Sequence, residues 1–181
     1  EASEVHTLTR AQVIADLPET IHTDIRCGTA CDIKKITEPG DIPRARIQEA
    51  ASRYETVAGD IDGLKCVVFC WYRETARGFV ESIKTRPDVF LCSGDLDPAA
   101  RGKIIDKWKQ SDKGVLVASI ASASLGLDFS CATDCFFLEG VYTSAAMSQA
   151  RDRLVKIGQT SPIAYNYYFS RGGIETVVHM L

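Results

Sequence analysis

The stretch CVVFC, Cys66–Cys70, is a continuous apolar run as long as one buried strand. The segment that follows it, WYRETARGFVESI at residues 71–83, repeats apolar side chains at the period of a helix. Its apolar positions share one helical face: Ala76, Phe79, Val80 and Ile83. Together the two segments predict a buried strand that leads directly into a helix.

From residue 65 to the end of the chain, short apolar runs alternate with helix-period segments. They predict further strands at residues 89–92, 115–119, 135–138 and 163–169. Asp97 as a cap and Pro98 in the first turn predict the start of a helix, and residues 111–114 predict its end. Two more helices are expected, at residues 144–156 and from Ile174 onward. This alternation is typical of a parallel sheet with helices on both faces, so the fold class is α/β.

Residues 1–60 show a weaker pattern, because Pro18, Pro39-Gly40 and Pro43 interrupt it. Only residues 45–57 predict a helix there. We expect an irregular lead-in over residues 1–60 that packs on one main domain, residues 61–181. With 181 residues, of which 45% are hydrophobic, the chain can bury a core of ordinary size.

The charge balance argues against a strong long-range attraction to nucleic acid. The chain carries 21 Lys and Arg against 24 Asp and Glu, a formal net charge of -3, so any such contact must be local. No apolar run approaches the roughly 20 residues that span a bilayer, and the first ten residues are too polar for a signal peptide. The chain lacks an initiator methionine, which predicts a fragment or a processed chain.

The seven cysteines are an odd number. Five of them lie within or beside strand-like runs, which predicts reduced core thiols of an intracellular protein: Cys66, Cys70, Cys92, Cys131 and Cys135. A zinc site would rest on Cys27 and Cys31 with His22. That alternative is disfavoured because there is no CxxC pair and no second ligand pair, so no metal site is predicted.

The segment QARDRLVKIGQ, residues 149–159, places Gln149, Arg153 and Lys156 at spacings of four and three along the predicted helix. Three side chains on one helical face could hold an anion, with Arg153 as a planar fork and Lys156 as a point charge. The alternative is a solvated face with intrahelical ion pairs, which charge runs usually form. Composition alone favours that alternative.

The same segment resembles motif VI of superfamily 2 helicases, above all that of the Swi/Snf-type family. Three other stretches resemble helicase motifs in the family's order: CVVFCWYRET motif IV, CSGDLDPAARGKIIDKW the segment after it, and ASIASASLGLDFSCATD motif V. The closing YNYYFSRGGIETVV is similar to the end of such lobes. The resemblance covers residue 65 to the end and implies a RecA-like fold, the helicase C-terminal domain.

The resemblance implies a second motor lobe of an ATP-dependent helicase or translocase. Arg153 would be an arginine finger for the γ-phosphate of ATP, and Gln149 would order its helix. Gly126 and Asp128 would turn the chain toward the ATP cleft. Lys156 stands where the family carries a second arginine and cannot make that residue's bidentate contact.

The resemblance also implies a nucleic-acid track, with duplex DNA favoured over RNA. Ser119, Ser122 and Ser124 would approach a phosphate, as would Ser93 and Gly94. The alternative is that residues 121–127 are only a tight connection and that residues 93 and 94 only form a turn.

The chain contains no GxxxxGK[ST] phosphate loop and no acidic Walker B pair. ATP and Mg²⁺ would therefore be held mainly by a first RecA-like lobe in the same polypeptide. We expect this chain alone to be inactive as an ATPase.

Other interpretations remain open. A pseudo-helicase lobe that acts as an interaction or regulatory scaffold would fit Lys156 and the replacement of the motif V glycines by Ala123 and Ser124. A dinucleotide-binding domain is disfavoured because residues 70–73 contain no glycine. The aromatic cluster at residues 165–169 could stack on bases, but its place in an alternating strand favours core and sheet face.

Overall fold

The computed structural model describes residues 17–123, 126–140, 143–170 and 172–174, which contain one six-stranded sheet. Its strands are β1 Thr20–Arg26, β2 Cys66–Cys70, β3 Val89–Cys92, β4 Val115–Ser119, β5 Asp134–Phe137 and β6 Ile163–Phe169. They lie in the order β1-β6-β5-β2-β4-β3, and every pair is parallel. The prediction of a parallel α/β sheet is confirmed.

Six α-helices and a short 3-10 helix, Ile33–Lys35, connect the strands in the described residues. The helices are α1 Asp41–Ala51, α2 Tyr54–Asp60, α3 Arg73–Ser82, α4 Pro98–Gln110, α5 Ile120–Ala123 and α6 Ser144–Asp152. The predicted start of α4 is confirmed, since the Asp97 carboxylate accepts the N–H of Ala100 at 2.8 Å and Pro98 takes the first helical position. Of the predicted closing helix, only Ile174 is described.

Strand β2 is central, and all five of its side chains are fully buried. Val67 and Phe69 face the core under α4 and α6, together with Trp108 and Leu154. Cys66, Val68 and Cys70 face the core on the other side of the sheet, which α2 and α3 cover. Helices on both faces explain why this strand reads as a continuous apolar run rather than as an alternating one.

The aromatic residues of β6 belong largely to these two cores. Tyr165 and Tyr168 are buried on opposite faces, and Tyr167 stacks on Phe137 with 5.0 Å between ring centroids. The interpretation of this strand as core and sheet face is confirmed.

Within the predicted irregular lead-in, residues 20–26 form a strand and residues 41–51 and 54–60 form helices, whereas residues 27–40 have only the 3-10 helix. Strand β1 pairs in parallel with the whole of β6, from Thr20 beside Ile163 to Arg26 beside Phe169. Its sequence TIHTDIR lacked an apolar run because an edge strand is exposed at nearly every position. The boundary predicted between residues 60 and 61 therefore divides the strands of a single sheet.

The predicted helix over residues 45–57 consists of α1 and α2, which are separated at Ser52 and Arg53. The Ser52 hydroxyl donates to the carbonyl of Glu49 at 2.6 Å, a local bond that competes with helix continuation. A further correction concerns Cys131, which is exposed, whereas Cys66, Cys70, Cys92 and Cys135 are buried as predicted.

Candidate functional site

The loops that follow β2, β3, β4 and β5 meet at one edge of the sheet, because all these strands are parallel. In open α/β sheets, ligands bind outside this carboxyl edge. Four of the residues predicted to contact nucleic acid lie there, namely Ser93, Gly94, Ser119 and Ser122. Ser124 falls outside the described residues.

The serine hydroxyls at this edge are less accessible than the sequence suggested. Ser93, Ser119 and Ser122 are 8%, 5% and 1% exposed, and only Gly94 lies open. The Ser122 hydroxyl donates to the Ser119 carbonyl at 2.5 Å, which fixes the turn of α5 directly after β4. The Ser119 hydroxyl is buried and finds no hydrogen-bond partner among the residues that the structure describes. The phosphate-contact role of these serines stays a prediction.

The segment after α5 returns to the opposite edge of the sheet, toward the start of β5. Gly126 has a φ of +74°, a left-handed conformation that favours glycine and turns the chain as predicted. Asp128 accepts the N–H of Ser130 at 2.9 Å and forms an ion pair with Lys109 at 2.9 Å. Hydrogen bonds from Ser130 and Lys109 lower the pKa of the exposed Asp128 carboxyl to about 2.

Arg153 lies next to this segment. The backbone N–H of Phe129 donates to the Arg153 carbonyl at 2.9 Å, so the chain after Gly126 is tied to the end of α6. Arg153 is the C-cap residue of α6, and its side chain is half-buried. The structure thus brings together Gly126, Asp128 and Arg153, the three residues predicted to bind the nucleotide.

The prediction that Gln149, Arg153 and Lys156 share one continuous helix is wrong. Helix α6 ends at Asp152, where the Leu154 N–H donates to the Arg151 carbonyl at 3.0 Å and Leu154 is fully buried. Lys156 lies beyond the helix in a turn closed by two bonds with Gln159, and its side chain is exposed. The three side chains therefore do not form the row that regular helical spacing predicted.

Gln149 lies on the exposed side of α6. It lines a cavity of about 310 Å³ together with Trp71 after β2, Ile120 and Ala121 of α5, and Ala146. This position adjoins the turn after β4, which the resemblance assigns to motif V. A role for Gln149 in ordering that turn stays a prediction.

A buried polar network, which was not predicted from the sequence, connects the strand ends at the carboxyl edge. The guanidinium of Arg53 donates to the carbonyls of Leu138 and Tyr168 at 2.7 and 3.0 Å and to the Ser170 hydroxyl at 3.1 Å. It also lies 3.7 Å from a carboxylate oxygen of Glu49, and both side chains are fully buried. Arg53, which lies between α1 and α2, thus joins these two helices to the ends of β5 and β6.

Glu139 performs a similar function at the end of β5. Its fully buried carboxylate accepts the backbone N–H groups of Trp71 and Tyr72 at 2.7 and 3.0 Å and the Thr75 hydroxyl at 2.8 Å. From the loop after β5, it therefore anchors the N-cap residue Tyr72 and the first turn of α3. Next to it, Arg46 donates to the Gly140 carbonyl and lies over the ring of Tyr72.

One signal in the sequence could have indicated this network. Arg46, Glu49 and Arg53 recur at spacings of three and four, on the same helical face as the buried Ala50. Charged residues at such spacings are usually solvated, so the pattern was not distinctive.

The described part of the chain has no group of three or more His, Cys, Asp or Glu residues arranged to hold a metal ion. His22, from the disfavoured zinc alternative, stacks on Tyr165 and bonds the Tyr167 hydroxyl at 3.0 Å. None of the described helices has the length and apolar character that crossing a bilayer requires.

Comparison with known proteins identifies similar chains. A family model described as "Helicase conserved C-terminal domain" matches residues 53–158. The human "DNA annealing helicase and endonuclease ZRANB3" is 27% identical over 119 residues, which is 65% of this chain and 11% of that protein. The Xenopus tropicalis "SWI/SNF-related matrix-associated actin-dependent regulator of chromatin subfamily A-like protein 1" is 35% identical over 80 residues, 44% of this chain and 8% of that protein.

The chain thus spans about a tenth of the length of these curated relatives. Among solved structures, the C-terminal part of the Fun30 ATPase domain superposes with a TM-score of 0.67 at 16% identity. The match covers 78% of this chain and 51% of that one, and at this identity it shows the fold alone.

Proposed function

Because the chain belongs to the helicase conserved C-terminal domain family, as a Snf2-type second RecA-like lobe, we propose that it acts as the second motor lobe of an ATP-dependent DNA translocase. The observation that carries the proposal is the bond from the Phe129 N–H to the Arg153 carbonyl. This bond ties the backbone of Arg153 to the segment that contains Gly126 and Asp128, at the edge of the sheet away from the carboxyl edge. A lobe with two such separate sites suits a motor that couples a nucleotide to a nucleic-acid track.

The nucleotide chemistry in this proposal is shared between two lobes. ATP and Mg²⁺ are held mainly by a first RecA-like lobe in the same polypeptide, and Arg153 reaches across the cleft to the γ-phosphate. Its planar guanidinium stabilises the charge that develops on the phosphoryl oxygens in the transition state. Gln149 and Lys156 take supporting roles, Gln149 by ordering the motif V turn and Lys156 as an exposed point charge.

Duplex DNA is the proposed substrate. The relatives named above are a DNA annealing helicase and a regulator of chromatin, and their names support DNA over RNA. Contacts would come from the carboxyl edge, where Gly94 lies open beside Ser93 and where Ser119 and Ser122 support the turn after β4. An intracellular location, in the nucleus or cytoplasm, belongs to the same proposal.

The proposal is tested by comparing ATP hydrolysis by the 181-residue chain with hydrolysis by the complete polypeptide that contains it, each with and without duplex DNA. We expect no turnover by the chain alone and DNA-stimulated turnover by the complete polypeptide, since neither a phosphate loop nor a Walker B pair lies in this sequence. Robust hydrolysis by the isolated chain, or none by the complete polypeptide, would contradict the proposal.

The second candidate function is that of an interaction or regulatory scaffold, a lobe that keeps the helicase fold but does not contribute to ATP hydrolysis. Lys156 favours it, because this residue lies in an exposed turn rather than on a helix aimed at a ligand. The two candidates differ in what Arg153 does, since a scaffold tolerates its loss and a motor does not.

A further inference from the structure

Two arginines of α3 and one aspartate after β3 form an exposed cluster at the carboxyl edge. Arg73 and Arg77 are one helical turn apart, and both contact the carboxylate of Asp95, Arg77 at 2.8 Å. The side chains of Arg73, Arg77 and Asp95 are 58%, 62% and 37% exposed, so solvent and ligands can reach all three. Two cations on one anion leave a local excess of positive charge.

The cluster adjoins the track proposed above. A guanidinium nitrogen of Arg73 lies 3.8 Å from the position that a Cβ on Gly94 would occupy. Strand β3 pairs with β4 up to Cys92 beside Ala118, so Ser93 and Gly94 follow at the level of Ser119. A polyanion lying along this edge would therefore pass directly over the two arginines.

The Glu139 carboxylate already accepts the N–H groups of Trp71 and Tyr72, the two residues before α3. The exposed cationic donors at this place are the Arg73 and Arg77 guanidiniums, which contact Asp95. A phosphate at this edge would therefore meet these two side chains.

We propose that Arg73 and Arg77 bind one phosphodiester group of duplex DNA, and that Asp95 occupies this anion position until the DNA backbone displaces it. The inference rests on the proposed function and names a phosphate site of its track. Asp95 accepts from both guanidiniums as a phosphate does, and it keeps them oriented in the absence of DNA. Displacement costs little, because an exposed ion pair contributes little to stability.

This site gives the chain a way to bind a polyanion despite its net charge of -3. Asp95 screens the two arginines from weak or distant anions, and a phosphate held in register by the rest of the track replaces it. Removal of the carboxylate and removal of either guanidinium must then change DNA affinity in opposite directions.

The experiment measures binding of a fluorescein-labelled mixed-sequence duplex to the complete polypeptide by anisotropy over a range of salt concentrations. R73Q and R77Q are each expected to weaken binding about threefold to tenfold and to reduce the salt slope by about 1. D95N is expected to tighten binding about twofold to fivefold. Inorganic phosphate added as competitor should weaken D95N binding more than wild-type binding.

Matched controls lie at the other end of the same helix and just beyond it, where Glu81 and Lys84 form an exposed ion pair. K84Q and E81Q alter the net charge as the arginine and aspartate variants do, and both should stay within about twofold of wild type. Far-UV circular dichroism and urea midpoints establish that all variants are folded.

Two results would overturn the phosphate site while leaving the proposed function intact: R73Q and R77Q that bind like K84Q, or a folded D95N that binds more weakly than wild type. An effect confined to single-stranded DNA would overturn the assignment to duplex. Failure of the wild-type polypeptide to bind duplex DNA would overturn the proposed function as well.

Discussion

Arg53 shows how a single residue can connect several elements. Its guanidinium donates to two strand-end carbonyls and to Ser170, and it lies beside Glu49 with no exposed surface. A charge of this kind is stable only while its partners remain, because an unpaired buried ion is strongly unfavourable. The Arg53 side chain therefore holds α1 and α2 in a fixed position relative to the carboxyl edge of the sheet.

Arg53→Ala is expected to lower the free energy of unfolding of the chain by about 3 to 5 kcal/mol, since it leaves the Glu49 carboxylate and two carbonyls without this donor. Urea denaturation followed by circular dichroism measures the change. Arg44→Ala, at an exposed position of α1, is the control and should change the free energy by less than about 0.5 kcal/mol. Equal effects of the two variants would show that the buried network does not stabilise the fold.

At the residue scale, the sequence predicted local chemistry well and long-range partners poorly. The Asp97 cap and Pro98 at the first helical position follow from rules about immediate neighbours. The partners of Arg53 lie 85 and 115 residues away, and no local rule reaches them. Cys131 was misplaced for a related reason, because its apolar neighbours lie in a turn rather than in a strand.

The start of helix α3 is anchored by a residue of another element. Its N-cap residue Tyr72 forms no side-chain cap bond, and the Glu139 carboxylate after β5 accepts the backbone N–H groups of Trp71 and Tyr72, just before the helix, and the Thr75 hydroxyl in its first turn. This bond joins the loop after β2 to the loop that leads into α6. The orientation of α3, and with it of Arg73 and Arg77, therefore depends on a residue more than 60 positions away.

Glu139→Ala is expected to speed hydrogen exchange of the Trp71 and Tyr72 amides by about tenfold or more, because the loss of a hydrogen bond to a charged acceptor costs about 1.5 to 3 kcal/mol. Exchange followed by NMR measures the two amides directly. Glu74→Ala removes an exposed carboxylate from the first turn of α3 and should leave both rates unchanged. Unchanged rates in Glu139→Ala would contradict the anchoring role.

Among the strands, those that bury at least one face could be predicted from the hydrophobic pattern of the sequence, and the exposed edge strand could not. Strands β2, β3, β4 and β6 were predicted with the bounds that they have, because apolar or alternating runs mark strands that bury at least one face. The hydrophobic pattern did not predict strand β1, because its polar sequence suits an exposed edge; only the resemblance of LPETIHTDI, residues 17–25, to the entry strand of such lobes indicated it. The end of α6 could not be predicted, since it coincides with a long-range contact, the bond from Phe129, 24 positions earlier, to the Arg153 carbonyl.

In the molecule as a whole, the proposed nucleic-acid surface and the proposed nucleotide surface lie at opposite edges of one sheet. The carboxyl edge carries Gly94 and the arginine cluster of α3, and the Gly126 turn and Arg153 lie together on the other side. The order of the motifs predicted the fold, whereas the nucleotide-binding role of Gly126, Asp128 and Arg153 stays a prediction. The motif order could not predict that Lys156 leaves the helix or that the serine hydroxyls are buried, because both depend on tertiary packing.

Arg153 is central to the proposed motor lobe, and steady-state ATP hydrolysis by the complete polypeptide, saturated with duplex DNA, tests its role most directly. R153A is expected to lower kcat by about a thousandfold, and R153K by a similar amount because an ammonium cannot supply the planar fork, while DNA binding stays within about twofold. R153A that turns over ATP at the wild-type rate would contradict the motor lobe and favour the scaffold.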